Sequence, residues 1–244
     1  MHPTICTIGL FTIYSYGSML VLAFITSALL LTARAKQQNR DAEAIFNFCF
    51  TAFVSGVVGA RVFYVLQNLG YYFKNPLEII MLQHGGLSWF GGLMLGSISG
   101  IVYLKKKKLP VYRTLDFIIP YVALAQAIGR IGCLLNGCCF GKESETAGIY
   151  FEVHKAVLIP TQLYSSLGLL AIYLVLRFMQ NKPRPQGQVF FTYLLLYSIK
   201  RFTIEFWRAD NEAIFYGLTL FQVLSIFLFV ISVTKLILIK ISRH

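Results

Sequence analysis

Residues 117–142 read FIIPYVALAQAIGRIGCLLNGCCFGK. The first dozen, Phe117 to Ile128, suit the inside of a bilayer helix, yet the run continues into Arg130, Asn136 and the adjacent Cys138 and Cys139. An arginine at the centre of a membrane helix costs roughly 2.5–3.5 kcal/mol on insertion scales, so it marks a functional site by default. The rest of the chain agrees with a membrane setting. Of 244 residues, 57% are hydrophobic and only 13% charged, and the mean hydropathy is +0.65. That is the composition of a polytopic membrane protein. The formal charge of +12 does not mark a nucleic-acid binder, because the basic residues lie between apolar runs instead of on one soluble module. The opening MHPTICTIGL has no basic leader region and no small-residue cleavage site, so the first apolar segment is expected to be a retained span.

About 20 apolar residues cross a hydrocarbon core. Seven segments qualify: residues 12–32, 46–66, 85–104, 115–135, 161–179, 188–207 and 217–239. The expected fold is all-α, a single integral-membrane domain over residues 1–244 with seven transmembrane helices. Arg34, Lys36 and Arg40 follow the first span, and Lys105, Lys106, Lys107, Lys108 and Arg113 the third. Arg177, Lys182 and Arg184 follow the fifth, and Lys235, Lys240 and Arg243 close the chain. These fourteen of the 22 basic residues fall on one side, which is then cytoplasmic, with the N-terminus outside and the C-terminus inside.

That topology collects the unusual polar residues in the outer half of the membrane. Tyr14 and Tyr16 open the first span, Arg61 lies in the outer half of the second, and His84 precedes the third within HGGLSWFGG. Arg130 lies roughly 7–8 Å below the outer end of the fourth, at ~1.5 Å per residue. Arg201, Glu205 and Arg208 are spaced i, i+4 and i+7, one face of a continuous helix. Bland readings stand beside each of these. Tyr14 and Tyr16 suit an aromatic belt, His84 an interfacial site, Arg208 a snorkelling position, and Arg201 with Glu205 a structural ion pair. Gly85, Gly86, Gly91 and Gly92, with Gly129, Gly132, Gly137 and Gly141, suit close helix packing or a backbone left bare for an anion. Arg130 is too deep for comfortable snorkelling. Two or more guanidinium forks in the outer leaflet suit a phosphodiester, and the commonest one at that depth is a phospholipid headgroup.

Five cysteines are spread between one in the second span, Cys49, and four toward the outer face, Cys6, Cys133, Cys138 and Cys139. The outer four suit one disulfide or small buried thiols. C-x4-C-C is not a usual zinc spacing and its motif holds no histidine, so no metal is expected.

Four motifs then carry a resemblance: YGSM at 16–19, HGGLSWFGG at 84–92, GRIGCLLNGCCFG at 129–141 and RFTIEFWR at 201–208, supported by GARVFYVL at 59–66 and PTQLY at 160–164. In this order they resemble the prolipoprotein diacylglyceryl transferases over about residues 7–210. The resemblance implies a bacterial inner-membrane enzyme that moves the diacylglyceryl group of phosphatidylglycerol to the lipobox cysteine of a preprolipoprotein. A thioether forms, glycerol phosphate leaves, and no cofactor is called for. Its partners are phosphatidylglycerol, lipobox peptides and membrane lipids, with no nucleic acid. It casts Arg130, Arg201, His84 and Glu205 as catalytic, and Tyr16, Arg61, Gly85, Gly86, Asn136, Gly141 and Arg208 as substrate-binding. The resemblance lapses at Cys133 and Cys138, where the best-known members carry Asn and Glu, and at Ile159 and Ser165, where they carry His and Glu. A related phospholipid-dependent transferase with another acceptor accommodates the changes at Ile159 and Ser165. An anion or lipid transporter would need a polar track to the cytoplasm, which spans one, three, five and seven do not offer.

Overall fold

The computed structural model describes residues 3–8, 11–81 and 85–242. Eight helices account for most of it: α1 (Ser15–Gln37), α2 (Ala42–Gln67), the single turn α3 (Leu69–Tyr72), α4 (Trp89–Lys106), α5 (Val111–Asn136), α6 (Thr161–Met179), α7 (Gln188–Glu205) and α8 (Leu220–Ile241). Five of them, α1, α2, α5, α6 and α8, are long and apolar enough to cross a membrane. Their apolar faces are largely uncovered by protein; only 17% of the most apolar stretch of α8 is buried, as expected of helices whose solvent is lipid. α4 and α7 have 18 residues each, and α7 carries Lys200, Arg201 and Glu205 within that length.

The fold is not purely helical. Three antiparallel hairpins are present: β1 (Thr4–Ile8) with β2 (Phe11–Tyr14), β3 (Ile149–Phe151) with β4 (Ala156–Leu158), and β5 (Ala213–Phe215) with β6 (Leu218–Thr219). The stretch before Ser15, expected to begin the first span, is instead strand β2, with Thr12 opposite Thr7. The long connection after α5, expected to be a loop, holds β3 and β4, and Phe151 there is fully buried.

The chain divides into two compact units, residues 28–111 and residues 1–27 with 112–244. In the first, α2 and α4 close on a seam of small residues. A Cβ at Gly59 would stand 2.5 Å from the Gly91 carbonyl oxygen, and one at Gly96 would stand 3.1 Å from that of Ala52. Gly91 and Gly92 therefore serve close packing, where backbones approach through small residues.

In the second unit, α5, α6 and α7 share a core of Ile119, Ala123, Ile172, Leu176, Val189 and Tyr193. Polar side chains fix the same helices. Asp116 on α5 accepts hydrogen bonds from the Gly187 and Phe190 amides at 2.6 and 2.8 Å, so it caps the N-terminus of α7 from a neighbouring helix. Ser166 of α6 donates to the Ala127 carbonyl of α5 at 2.8 Å, and Tyr193 of α7 donates to Gln126 at 2.8 Å.

Candidate active site

In the larger unit, α5 ends in a paired helix stop. The Cys138 amide returns to the Cys133 carbonyl and the Gly137 amide to Leu134, each at 3.1 Å, with Gly137 at φ 74°. This is the 6→1 and 5→2 pattern that needs a left-handed residue just past the helix. Asn136 is the last helical residue, and six residues before it stands Arg130. Gly132 lets α1 lie close by: a Cβ there would stand 2.9 Å from Met19 Cβ and 3.6 Å from Tyr16 Cα. Tyr16, Arg130 and the three cysteines of the turn are within electrostatic range of one another.

The chain after the turn is held by α6. Thr161 Oγ1 donates to the Cys139 carbonyl at 2.6 Å and Gln162 Nε2 to the Cys138 carbonyl at 2.7 Å, and both side chains are buried. His154 of the β3–β4 hairpin meets the Gly137 carbonyl at 2.8 Å, its ring packed on Phe140 at 4.1 Å. Gly141 then passes between two strands of chain. Its amide donates to the Ile159 carbonyl at 2.9 Å, and a Cβ would stand 2.7 Å from the Trp207 carbonyl oxygen. Gly141 thus brings the α5 turn against the end of α7.

That end of α7 holds the acidic residue. Glu205 is buried, with Arg201 Nη1 at 2.9 Å from Oε2 and Arg208 Nε at 3.9 Å. Its other oxygen accepts from Asn211 at 2.7 Å and Thr219 at 2.8 Å. Oε2 makes the ion pair but accepts no aligned hydrogen bond among the described residues. The helix ends at Glu205, so Arg208 is not on the continuous helical face that the i, i+7 spacing predicts. It reaches Glu205 from the following turn, and its fork closes on Asp210, with Nε 2.7 Å from Oδ1. Arg201 also lies 4.3 Å over the Phe221 ring.

Arg130 differs from both. It is half-buried, and among the described residues no hydrogen bond or ion pair engages its guanidinium. Arg130 and Arg201 lie within electrostatic range of each other. Lys200 lies within range of Arg130, Arg201 and Arg208, donates to the buried Ser165 hydroxyl at 3.2 Å, and stacks on Tyr197 at 4.6 Å. Ser165 itself was the position of a departure from the resemblance, so its pairing with Lys200 was the available signal.

In the smaller unit, Arg61 is buried and all five of its N–H donors reach carbonyls: Ile79 at 2.9 Å, Gly86 at 3.0 Å, Met81 at 3.2 Å, and Glu78 and Gly85 more closely. Tyr72 packs on the cation at 5.3 Å. Gly85 and Gly86, at φ 79° and 80°, aim their carbonyls at it. Arg61 therefore clasps the segment that carries HGG, and the carbonyls of the two glycines give it acceptors. His84 lies outside the described residues.

All five cysteines are free thiols. Cys133, Cys138 and Cys139 have their sulfurs within 4.8 Å of one another, which makes them the group able to hold a metal ion among the described residues. Cys139 is pulled below the ordinary thiol range by hydrogen bonds from Cys133 and then Cys138, with Arg130 and Arg208 adding attraction.

The family model described as prolipoprotein diacylglyceryl transferase matches residues 3–238. A Clostridium tetani protein named phosphatidylglycerol--prolipoprotein diacylglyceryl transferase is 32% identical over 242 residues, 96% of each chain. A Clostridium perfringens protein named phosphatidylglycerol--prolipoprotein diacylglyceryl transferase 2 is 33% identical over 224 residues, 89% of this chain and 88% of its own. A Streptococcus agalactiae serotype V protein bearing the first of these names is 30% identical over 253 residues, all of this chain and 98% of its own.

Proposed function

Since the chain belongs to the prolipoprotein diacylglyceryl transferase family, we propose that it transfers the diacylglyceryl group of phosphatidylglycerol to the lipobox cysteine of preprolipoproteins, using a phosphate site built around Arg130. The observation that carries the site assignment is the contrast among its cations. Arg201 is held by Glu205 and Arg208 by Asp210, whereas Arg130, within range of both Arg201 and Lys200, has an open fork among the described residues.

In the reaction, the acceptor thiolate forms a sulfur–carbon bond at the glyceryl carbon while the carbon–oxygen bond to phosphate breaks. Glycerol phosphate leaves with the electron pair. Guanidinium forks in a water-poor site favour that developing charge, and removing one such donor typically costs about 10²–10³ in rate. Glu205 fixes Arg201 in place and keeps the buried cation paired. Tyr16, Asn136 and Arg208 border the same site, and Gly141 supports it by close packing. Arg61, Gly85 and Gly86 act by shaping the segment that carries His84. The thiol proton goes to His84 or is shed under the field of the arginines.

The protein is a multi-pass membrane protein. The proposed arrangement has α4 and α7 as two further spans, making seven, with the N-terminus outside, the C-terminus cytoplasmic and residues 1–244 acting as one unit in the bacterial inner membrane. The polar residues that lower the apolar character of α7 belong to the site itself.

The test is transfer to a lipobox peptide from phosphatidylglycerol vesicles by the purified enzyme, read as the mass gain of one diacylglyceryl group. A peptide with Ser in place of Cys is expected to gain nothing. Full activity with phosphatidylglycerol replaced by phosphatidylcholine would overturn the donor assignment, and no gain from any lipid would overturn the reaction.

A further inference from the structure

We propose that Cys133, Cys138 and Cys139 form a three-thiolate site for a soft d10 cation, zinc(II) or copper(I). Spacing alone argues against a metal here, but spacing is not what sets the geometry. The helix stop that ends α5 returns residue 138 to residue 133, a turn type in which those two side chains meet. Cys139 then takes φ 62°, a left-handed conformation that L side chains rarely adopt, and its sulfur joins the other two.

The distances suit a metal. Three sulfurs at about 2.3 Å from one ion stand about 3.8–4.0 Å apart, and these three lie within 4.8 Å of one another before any ion draws them in. Thiolates select soft cations over magnesium or calcium. The surroundings are also built for it. Carbonyls on each side of the turn are fixed by His154, Gln162 and Thr161, so the sulfurs sit on a braced support. Bound as three thiolates, the site carries a net charge of −1 with zinc(II) or −2 with copper(I). Arg130 and Arg208, both within range of Cys139, offset that charge. Three sulfurs leave a fourth position open on zinc.

The experiment uses the full-length enzyme, purified in detergent, reduced, and exposed without oxygen to zinc(II) or copper(I) in separate arms. Native mass spectrometry is expected to show one ion per chain in at least one arm. X-ray absorption is expected to show a sulfur shell at about 2.3 Å. Thiol counting should fall from five reactive groups to Cys6 and Cys49 alone. Cys133→Ser, Cys138→Ser and Cys139→Ser should each weaken binding at least about tenfold, while Cys6→Ser should not. Unchanged affinity in any of the three serine variants overturns the site. So does reduced wild-type enzyme that stays metal-free in both arms, or that forms a disulfide in the turn instead. The absorption measurement needs no variant to fold, and no readout needs transfer activity, so the transferase reading stands or falls separately.

Discussion

Arg61 and Arg130 look alike in the sequence: each is a guanidinium inside an apolar run, and each should be costly there. Their fates differ. Arg61 spends all five donors on backbone carbonyls of residues 78–86, and its charge is absorbed by the chain that wraps it. Arg130 is engaged by no hydrogen bond or ion pair among the described residues, and Lys200 and Arg201 of α7 lie within electrostatic range of it. Burial of an arginine thus says that something must satisfy it, and the donor count says whether the protein already does. A saturated fork is architecture. An open fork within range of other cations is what the proposed phosphate site requires.

The largest effect that could break this contrast is at Arg130. Arg130→Lys keeps the charge and removes the planar fork, and transfer is expected to fall about 10²–10³-fold, with the thermal unfolding midpoint unchanged. Wild-type transfer by that variant would remove Arg130 from the reaction. Arg61→Lys should behave in the opposite sense. An ammonium has three donors, so at least two of five carbonyls lose their partner, and each buried one left unpaired costs about 1–3 kcal/mol. A lowered unfolding midpoint and faster hydrogen exchange over residues 78–81 are expected, with transfer per folded molecule falling less than at Arg130. A stable Arg61→Lys paired with an unfolded Arg130→Lys would invert the assignment.

The glycines sharpen the same contrast at smaller scale. In Gly86→Ala the new Cβ would stand 2.7 Å from Arg61 Nη1 and 2.5 Å from the Tyr64 ring, at φ 80°. Strain of about 1–3 kcal/mol is expected, read as loss of thermal stability. Gly132→Ala meets chiefly Met19 Cβ at 2.9 Å with no positive φ to strain it, so α1 must give way slightly beside Tyr16. Its expected effect is a few-fold rise in KM for the lipid with little change in stability. Equal destabilisation by the two variants would show that both regions are clasps.

Much of this was readable in the residues, for a physical reason. Each of the seven apolar segments holds a helix of 18 residues or more, and for the five long and apolar enough to cross a membrane the bilayer leaves the backbone one way to satisfy itself. Arg130, Arg201 and Glu205 were visible as charges inside apolar runs. The hairpins were not, since strands of two to five residues carry too little alternation to register. The saturation of Arg61 was hidden because its partners are carbonyls, which every residue supplies. The break at Glu205 was equally hidden: Phe206 and Trp207 suit a helix, and only the contacts of Gly141 and Lys142 with Trp207 show why the chain turns there. The cysteine cluster was legible as composition but not as geometry, because a helix stop, and not a ligand spacing, brings its sulfurs together.

The smallest expected effect reuses the Arg61 bond type in the other unit. His154 meets the Gly137 carbonyl at 2.8 Å, a side-chain nitrogen on a turn carbonyl as at Arg61, but as one bond instead of five. Losing one such bond costs about 0.5–1.5 kcal/mol net, and the turn keeps its ties to Thr161 and Gln162. His154→Ala should therefore leave the fold intact, speed hydrogen exchange at the Gly137 and Cys138 amides, and lower transfer less than about tenfold, the equivalent of ~1.4 kcal/mol. His154→Gln keeps a donor at nearly the same reach and should recover most of the protection. If alanine leaves exchange across the turn untouched, the Thr161 and Gln162 contacts suffice to hold it. If alanine instead unfolds the protein, a single bond here does the work of the five at Arg61, and counting donors is the wrong measure of a clasp.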